Sequence, residues 1–472
     1  MNDMLKTTPD FSLDAAAALL AEHYGLSGTL SPLASERDQN FKVETAEGTF
    51  ILKIVNAAEP QVESDFQTAM LAHLGTHAGD LPVPHIRPTL SGDSLARVTG
   101  SQGLDHRIRL VSWIEGRPLA ETARSDAALN SLGHMLGRFD AALKGFIHPG
   151  ALRDLDWDIR KAGRSAGRLH HIAVAGDRAL LERFLQRFET LGPRLATLRA
   201  AVIHNDANDW NVLVDAQDAD RICGLIDLGD ALHAPVIAEV AIAAAYAGLD
   251  HADPIGAAAE IARGFHAEYP LLEEEINLLY DLIAIRLVTS VTMSASRRSH
   301  TDDNPYLAIS ERPAWELLRK LDRMNPRFAT AILRQACGFE AAPGARAVID
   351  WIDRNRKSLK PLLERPAATY PAALVPYGDP THPMTVLSAA ERPDEAQAIW
   401  EAYARENGVE LGIGPFAEER TVYAGEMFSS RFIDGARRTR HGGFDLFRAA
   451  GTKVFSPRAA TGVRVEIEKD PL

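Results

Sequence analysis

Apolar and polar residues alternate along two runs near the N-terminus, residues 40–45 and 49–55, which flank a glycine-containing turn. Alternation with a period of two is typical of half-buried strands, so the two runs predict a β-hairpin. Apolar residues recur at helical spacing over residues 13–24, and the pattern predicts a short helix before the hairpin. A further strand is predicted over residues 107–114.

Helical patterns dominate the rest of the chain. Apolar residues follow helical spacing over 132–143 and 181–188, and helical patterns resume from about residue 235 to residue 337. Three short apolar runs lie between the helices and predict short strands around a polar loop: 201–203, 211–214 and 222–226. The pattern therefore predicts an α+β fold with a strand-rich first part and a larger helical second part.

The character of the sequence changes beyond Gly344. Six prolines lie between Lys360 and Met384, and such punctuation is typical of a linker or a domain boundary. We therefore divide the chain into a strand-rich part, a helical part, a linker and a small β-containing C-terminal segment, at 1–115, 116–343, 344–384 and 385–472.

Composition narrows the function classes. The formal net charge of −13 argues against a nucleic-acid partner, which requires a basic surface. The two cysteines, Cys223 and Cys337, are too few for a disulfide framework and favour a reducing cytoplasm. The most apolar stretch, residues 231–249, contains Pro235 and Glu239, and is predicted to be a buried helix instead of a membrane span. We expect a cytoplasmic protein with no membrane partner.

The strongest chemical signal lies in the loop 204–211 and in an aspartate one hairpin later. Phosphoryl transfer requires a carboxylate that accepts the proton of the attacking hydroxyl, and oxygen ligands that hold a metal against the phosphates. Asp206 is predicted as the base, and Asn211 and Asp227 as ligands of Mg²⁺, which prefers oxygen donors. His204 is predicted to support the loop. The alternative is that these are ordinary turn residues.

Lys53 is the second candidate. It lies between apolar residues on a predicted strand, where a buried ammonium requires a partner. We predict that it contacts the α- and β-phosphates of a nucleotide and is held by Glu63 on the following helix; Asp65 is the other candidate there. The alternative is an edge-strand lysine that reaches solvent.

The turn before the hairpin, residues 35–41, stands where a phosphate-covering loop would lie. It is not rich in glycine, but its backbone N–H groups and its polar side chains could cover phosphates. The candidates are Arg37, Gln39 and Asn40. A solvated turn is an equal alternative.

These residues together resemble a known family. The ordered set comprises Glu36-Arg37-Asp38-Gln39-Asn40-Phe41, Lys53, His204-x-Asp206-x-x-x-x-Asn211 and Asp227-x-Gly229-Asp230. It is similar to the aminoglycoside phosphotransferase and choline kinase superfamily over roughly residues 10–340, and the first loop is most similar to the hydroxylysine kinase branch. The resemblance implies a protein-kinase-like bilobal fold with a small β-rich N-lobe and a larger helical C-lobe.

The resemblance also implies roles for further residues. The strand end would be the hinge that hydrogen-bonds the purine, through Ser112, Trp113 and Ile114. Four residues would face the acceptor pocket: Asp209, Trp210, Asp230 and Glu239. Carboxylates in that pocket would suit an ammonium-bearing acceptor by charge complementarity.

The C-terminal segment carries a separate resemblance. His441 and Asp445 match the His-x-x-x-Asp motif that opens lysostaphin-like zinc endopeptidase domains, but no histidine follows His441. A zinc site needs three protein ligands, so we interpret the segment as truncated or degenerate, without catalysis. A polar turn is the simpler interpretation, and fused or missing downstream domains are left open.

The site residues predict a kinase that uses Mg²⁺ with ATP or GTP, and the resemblance implies a small amino alcohol as its acceptor, with 5-hydroxylysine as the first candidate. Ethanolamine, homoserine or an aminoglycoside are alternative acceptors. A non-catalytic nucleotide-binding module and a zinc endopeptidase are the competing classes.

Overall fold

The computed structural model describes residues 7–35, 37–298, 311–420, 423 and 439–458. Two units are distinguished, Met1–Ala341 and Ala342–Leu472. The first unit contains both the strand-rich and the helical part that the sequence pattern predicts.

An antiparallel sheet forms the strand-rich part. The predicted helix is α1 (Leu13–Tyr24), which begins at Ser12, whose hydroxyl accepts from Ala15 N–H, and ends at Gly25 in the left-handed conformation. The sheet follows in the order β1-β2-β3-β6-β4, and β5 also pairs with β6. Its strands are β1 (Gly28–Leu33), β2 (Gln39–Thr45), β3 (Gly48–Ile54), β4 (Ile86–Arg87), β5 (Ala96–Thr99) and β6 (Asp105–Ser112), and α2 (Gln61–His77) lies between β3 and β4.

The alternation of the hairpin separates a core face from a polar face. Phe41, Val43, Leu52 and Ile54 are buried with side chains of α1 and β6. Lys53 lies directly opposite Arg109 in the β3–β6 ladder. Because residues directly opposite each other in an antiparallel pair project to the same face, these two cations stand side by side on the other face of the sheet.

Helices form most of the second part of this unit. They are α3 (Asp126–Ala142), α4 (Ala175–Leu195), α5 (Ile237–Ala247), α6 (Pro254–Glu268), α7 (Glu273–Ile276), α8 (Leu279–Arg298), α9 (Glu311–Arg323) and α10 (Pro326–Ala336). Four 3₁₀ segments accompany them: Leu119–Glu121, Pro149–Leu152, Ile159–His171 and Leu228–Asp230.

Two small sheets carry the polar loop. One has the order β10-β9-β7 and the other pairs β11 with β8, where the strands are β7 (Arg117–Pro118), β8 (Ala200–Ile203), β9 (Val212–Val214), β10 (Ile222–Leu225) and β11 (Leu232–Pro235).

The apolar stretch 231–249 is not one helix. Its first part is β11, paired antiparallel with β8, and only the part from Ile237 is helical. The prediction was wrong here because a continuous apolar run is buried on every side in either conformation, so its pattern does not distinguish a strand from a helix. Within the described residues, we find no helix with the length and apolar character needed to cross a bilayer.

The second unit has its own elements. They are α11 (Ala345–Asn355), β12 (Ala372–Leu374), α12 (Pro383–Ala389), α13 (Pro393–Glu406), β13 (Leu411–Gly414) and β14 (Asp445–Phe447), with 3₁₀ segments at Arg356–Ser358 and Ala367–Thr369. β13 pairs parallel with β12 and antiparallel with β14. The segment 344–384, predicted as a linker, therefore contains a helix and a strand, because its prolines lie between short elements of this unit.

Two helices of the first unit approach each other at glycine. A Cβ atom on Gly133 of α3 would lie 2.1 Å from the carbonyl oxygen of Ile261 in α6, and one on Gly264 of α6 would lie 2.1 Å from the carbonyl oxygen of Asn130. Non-bonded carbon and oxygen atoms cannot approach this closely, so the helix crossing requires glycine at both positions.

We expect Gly133→Ala to lower the free energy of unfolding by about 1–3 kcal/mol or more, because the helices must separate to admit the methyl group. Urea unfolding measures the change. Gly176→Ala on α4 is the matched control: its Cβ would meet no atom within 4 Å, so a gain of up to about 1 kcal/mol is expected. Equal effects of the two substitutions would contradict the close crossing.

Candidate active site

A cavity of about 610 Å³ lies in the first unit between the polar face of the large sheet and the loops that follow β8 and β10. Seven of the predicted site residues line it: Arg37, Asn40, Lys53, Asp206, Asn211, Asp227 and Asp230. The volume is in the range of small-molecule sites. The cavity therefore brings together the cation of the hairpin and the oxygen-bearing side chains of the two loops.

Asp206 is held by amide and guanidinium donors. Its Oδ2 accepts from Asn211 Nδ2 at 2.9 Å and from Asn208 Nδ2 at 3.0 Å, and its Oδ1 accepts from Arg286 Nη2 at 3.1 Å. The carboxyl is 21% exposed. Burial raises the pKa of Asp206 to about 7, Arg286 opposes the rise, and Asp230 and Asp227 add to it. A carboxyl with this pKa exchanges its proton near neutral pH.

Backbone contacts hold the two loops together. His204 Nε2 lies 3.0 Å from the carbonyl oxygen of Ile226, and Ile226 N–H donates to the carbonyl oxygen of Asn211 at 2.9 Å. Burial lowers the pKa of His204 to about 4, so its ring is neutral at pH 7 and supports the loop. These bonds place Asn211 beside the strand end that leads to Asp227.

Asp227 has a left-handed backbone, with φ of 58°, and its Oδ1 accepts from Gly229 N–H at 3.2 Å. Non-glycine residues with positive φ are uncommon and are often found at functional sites. Asn211 and Asp227 offer oxygen donors of the kind that Mg²⁺ prefers, and Mg²⁺ completes its shell with water and phosphate oxygens. In the described part of the chain, no group of three histidine, cysteine or acidic side chains could hold a metal by itself.

The prediction that Glu63 holds Lys53 was wrong. Lys53 Nζ lies 2.9 Å from Asp38 Oδ2, whereas Glu63 Oε2 accepts from Arg153 Nη1 at 3.0 Å. Arg153 also donates to the carbonyl oxygens of Gly229 and Ala231. The sequence showed only that Glu63 lies on the next helix; the arginine that binds it comes from ninety residues later and was not foreseen.

The turn before the hairpin divides into cavity and scaffold residues. Arg37 and Asn40 line the cavity, and Arg37 Nη2 lies 4.0 Å from Asp230 Oδ1. Gln39, predicted to bind nucleotide, instead uses its amide to bond the N–H and the carbonyl oxygen of Phe11, both at 2.8 Å. Its role is to fix the segment before α1. Glu36 lies outside the described residues.

The three residues predicted as the purine-binding hinge do not line the cavity. Ser112 N–H donates to His85 O at 2.8 Å, and Trp113 N–H donates to Thr49 O at 3.1 Å. These two amides are therefore engaged within the sheet, and residues 112–114, including Ile114, are not among the cavity residues. Val111 lines the cavity and Ser112 does not, because successive side chains of a strand point to opposite faces of the sheet. The strand β6 ends at Ser112, two residues before the predicted end.

Of the four residues predicted to face the acceptor, one lines the cavity and three do not. Asp230 lines the cavity, but Asp209 is buried in an ion pair with Arg124 Nη2 at 2.5 Å. Trp210 is exposed, and Glu239 is fully buried and accepts from Asn205 N–H at 3.1 Å. Neither of them lines the cavity. Successive side chains of a tight loop point in different directions, which motif proximity alone does not reveal.

Arg286 is the main residue that the sequence reasoning missed at the acceptor end. It is 2% exposed, and its guanidinium lies 4.4 Å from the ring centroid of Trp157 and 5.5 Å from that of Tyr246. Both aromatic residues line the cavity. The signal was an arginine inside the apolar pattern of α8, because arginine is almost never buried without a partner.

His441 and Asp445 lie in a charged network of the second unit. His441 Nε2 is 3.0 Å from Asp445 Oδ2, its Nδ1 is 2.8 Å from Tyr423 Oη, and Asp445 also accepts from Arg420 Nη2 at 2.8 Å. The His–Asp pair thus belongs to an ion-pair and hydrogen-bond cluster beside β14. The described residues give no support to the zinc-peptidase resemblance.

The antiparallel sheet of the strand-rich part, the larger helical part and the polar cavity between them define a kinase-like phosphotransferase fold. The sequence model of the phosphotransferase enzyme family matches residues 29–274, more than half of the chain. The chain belongs to this family, and it is an enzyme of the small-molecule kinase class.

Individual relatives agree with this class. Hydroxylysine kinase of Mus musculus is 26% identical over 343 residues, which cover 68% of this chain and 91% of that protein. Hydroxylysine kinase of Xenopus laevis is 26% identical over 345 residues, with 67% and 91% covered. The solved structure of amicoumacin kinase hAmiN with AMP-PNP, Ca²⁺ and Ami has a TM-score of 0.52 at 13% identity and covers 69% of this chain and 97% of that one. The likeness confirms the predicted kinase-like fold.

Proposed function

We propose that the protein transfers the γ-phosphate of ATP or GTP, bound with Mg²⁺, to the hydroxyl of a small amino alcohol, with 5-hydroxylysine as the first candidate. One observation carries the proposal: the carboxyl of Asp206 lines the same cavity as Asn211, Asp227 and Lys53. The hydroxylysine kinases that match about two thirds of this chain support the choice of acceptor.

Each side chain has a role that its contacts support. Asp206 accepts the proton of the attacking hydroxyl, and the amides of Asn208 and Asn211 fix the orientation of its carboxylate. Asn211 and Asp227 would hold Mg²⁺, which neutralises charge on the phosphates when bound. Lys53 contributes an ammonium to the phosphates from the facing sheet, which leaves positioning and electrostatics as the main sources of catalysis.

Charge at the acceptor end favours an amino-bearing substrate. The carboxylate of Asp230 lines the cavity next to the loop that carries Asp206, and it offers a counter-charge to an ammonium. Ethanolamine, homoserine and aminoglycosides share this feature with hydroxylysine, so the acceptor is decided by a comparison among them.

Asp206→Asn should lower acceptor-stimulated release of nucleoside diphosphate by about 10²–10⁴-fold, with nucleotide affinity largely kept, because only the base is lost. A coupled assay with ATP or GTP and each of the four acceptors measures this. Asp218→Asn, on an exposed turn outside the cavity, is the matched control. Full turnover in Asp206→Asn, or no stimulation of the wild-type protein by any acceptor, would refute the proposal.

The pH dependence of kcat/KM should report the carboxyl of Asp206. Because the base acts when deprotonated, kcat/KM should rise with pH and level off above about 7. Arg286 lowers this pKa, so Arg286→Met should move the rising limb to higher pH, whereas Arg286→Lys should leave it nearer to that of the wild type. An identical limb in all three proteins would exclude the assignment.

Asp227→Asn tests the metal ligand without disturbing the backbone, because asparagine tolerates the left-handed conformation. We expect nucleotide affinity in the presence of Mg²⁺ to fall by about tenfold or more, since a carboxylate ligand is lost. Calorimetry with Mg²⁺ and with EDTA separates the effects. A loss of equal size in EDTA would show that Asp227 acts on the nucleotide without the metal.

A further inference from the structure

We propose that Arg109 is a second phosphate-binding cation beside Lys53, and that Asp38 occupies the anion site of these two cations until nucleotide displaces it. The inference deepens the proposed function and rests on it. It adds one residue to the nucleotide site and assigns to another the role of a resident anion.

The strand ladder places Arg109 at the site. It stands directly opposite Lys53 in the β3–β6 pair, so both side chains project toward the cavity, which both residues line. Arg109 is 4% exposed, a cost that a guanidinium bears only when it is paired. Two cations side by side repel each other, so an anion between them would stabilise the arrangement.

The hydrogen bonding of Arg109 is incomplete. Its Nη2 donates to Gln67 Oε1 on α2, a neutral partner. Its Nη1 is buried and has no hydrogen-bond partner among the described residues. A guanidinium offers five N–H donors in a fixed fork that suits phosphate. In the proposed complex, a phosphate oxygen that enters the cavity accepts from this unused donor.

Asp38 supplies an anion to these cations. Its Oδ2 lies 2.9 Å from Lys53 Nζ, and its Oδ1 accepts from Asn56 N–H at 3.0 Å. The carboxylate also attracts Arg109. An ammonium, a guanidinium and a backbone N–H are the donors that bind a phosphate group. Asp38 therefore satisfies the groups that the nucleotide would need.

Two anions cannot share these donors without repulsion. Glu59 and Asp227 also line the cavity and attract Arg109, so with Asp38 three carboxylates already face the two cations. A nucleotide that binds Lys53 and Arg109 must displace Asp38 from these cations. The apparent affinity for the nucleotide is therefore reduced to the fraction of molecules in which Asp38 has left the site.

Asp38→Asn tests the displacement. The amide keeps the oxygen that accepts from Asn56 N–H but loses the charge that competes with phosphate. We expect nucleotide affinity, measured by calorimetry with ATP and Mg²⁺, to tighten by about three- to tenfold. Because a misfolded protein cannot bind more tightly, this gain is specific. Weaker binding by Asp38→Asn would overturn the displacement.

Arg109→Met tests the second cation. Affinity should fall by about tenfold or more, and Arg109→Lys should restore part of it. Arg97→Met is the matched control, because Arg97 is an exposed arginine of the same sheet and bonds Gln61 Oε1 at 3.0 Å. If Arg109→Met binds as Arg97→Met does, with unchanged melting temperatures, Arg109 is not a phosphate ligand.

The double variant Asp38→Asn with Arg109→Met completes the cycle. If both residues share one anion site, the gain from Asp38→Asn should shrink when Arg109 is absent, and an undiminished gain would overturn the shared site. Acceptor-stimulated turnover of the wild-type protein distinguishes a failure of the proposed function from a failure of this inference. With turnover present, these variants judge the inference alone; if the wild-type protein binds no nucleotide, both the proposed function and the inference fail.

Discussion

The buried carboxylate of Glu239 holds the loop on which the cavity depends. Its Oε2 accepts a hydrogen bond from Asn205 N–H, and Asn205 has a φ of 65°, a conformation that costs free energy in a non-glycine residue. Burial raises the pKa of Glu239 to about 7. The bond fixes the residue that precedes Asp206, so the direction of the predicted base follows from a side chain that never touches the cavity.

Desolvated charge is the common feature of the two walls of the cavity. On the loop side, Arg286 lies between two aromatic rings and against Asp206. On the sheet side, Lys53 and Arg109 face Asp38. Each charge is costly to bury alone and acceptable beside its partner. Paired burial leaves charged groups preorganised for a reaction in which charge moves between phosphate oxygens.

Local patterns predicted the parts of this structure that local physics determines. The hairpin, the helix α1 and the residues of the loop 204–211 follow from periodicity, capping and fixed spacing. Partner choice did not follow, because Glu63 binds Arg153 and Lys53 binds Asp38 through contacts between distant segments. The same limit explains Glu239, whose direction depends on how α5 packs beneath the loop.

The pairing of β11 with β8 has a consequence for how such an enzyme diversifies. Leu232 to Pro235 are matched residue by residue with Ile203 to Ala200, so an insertion within residues 232–235 would break the ladder. Trp157 and Tyr246 reach the cavity from outside this ladder. Related enzymes that phosphorylate larger or smaller acceptors would therefore be expected to differ at Trp157 and Tyr246, while residues 232–235 keep their length.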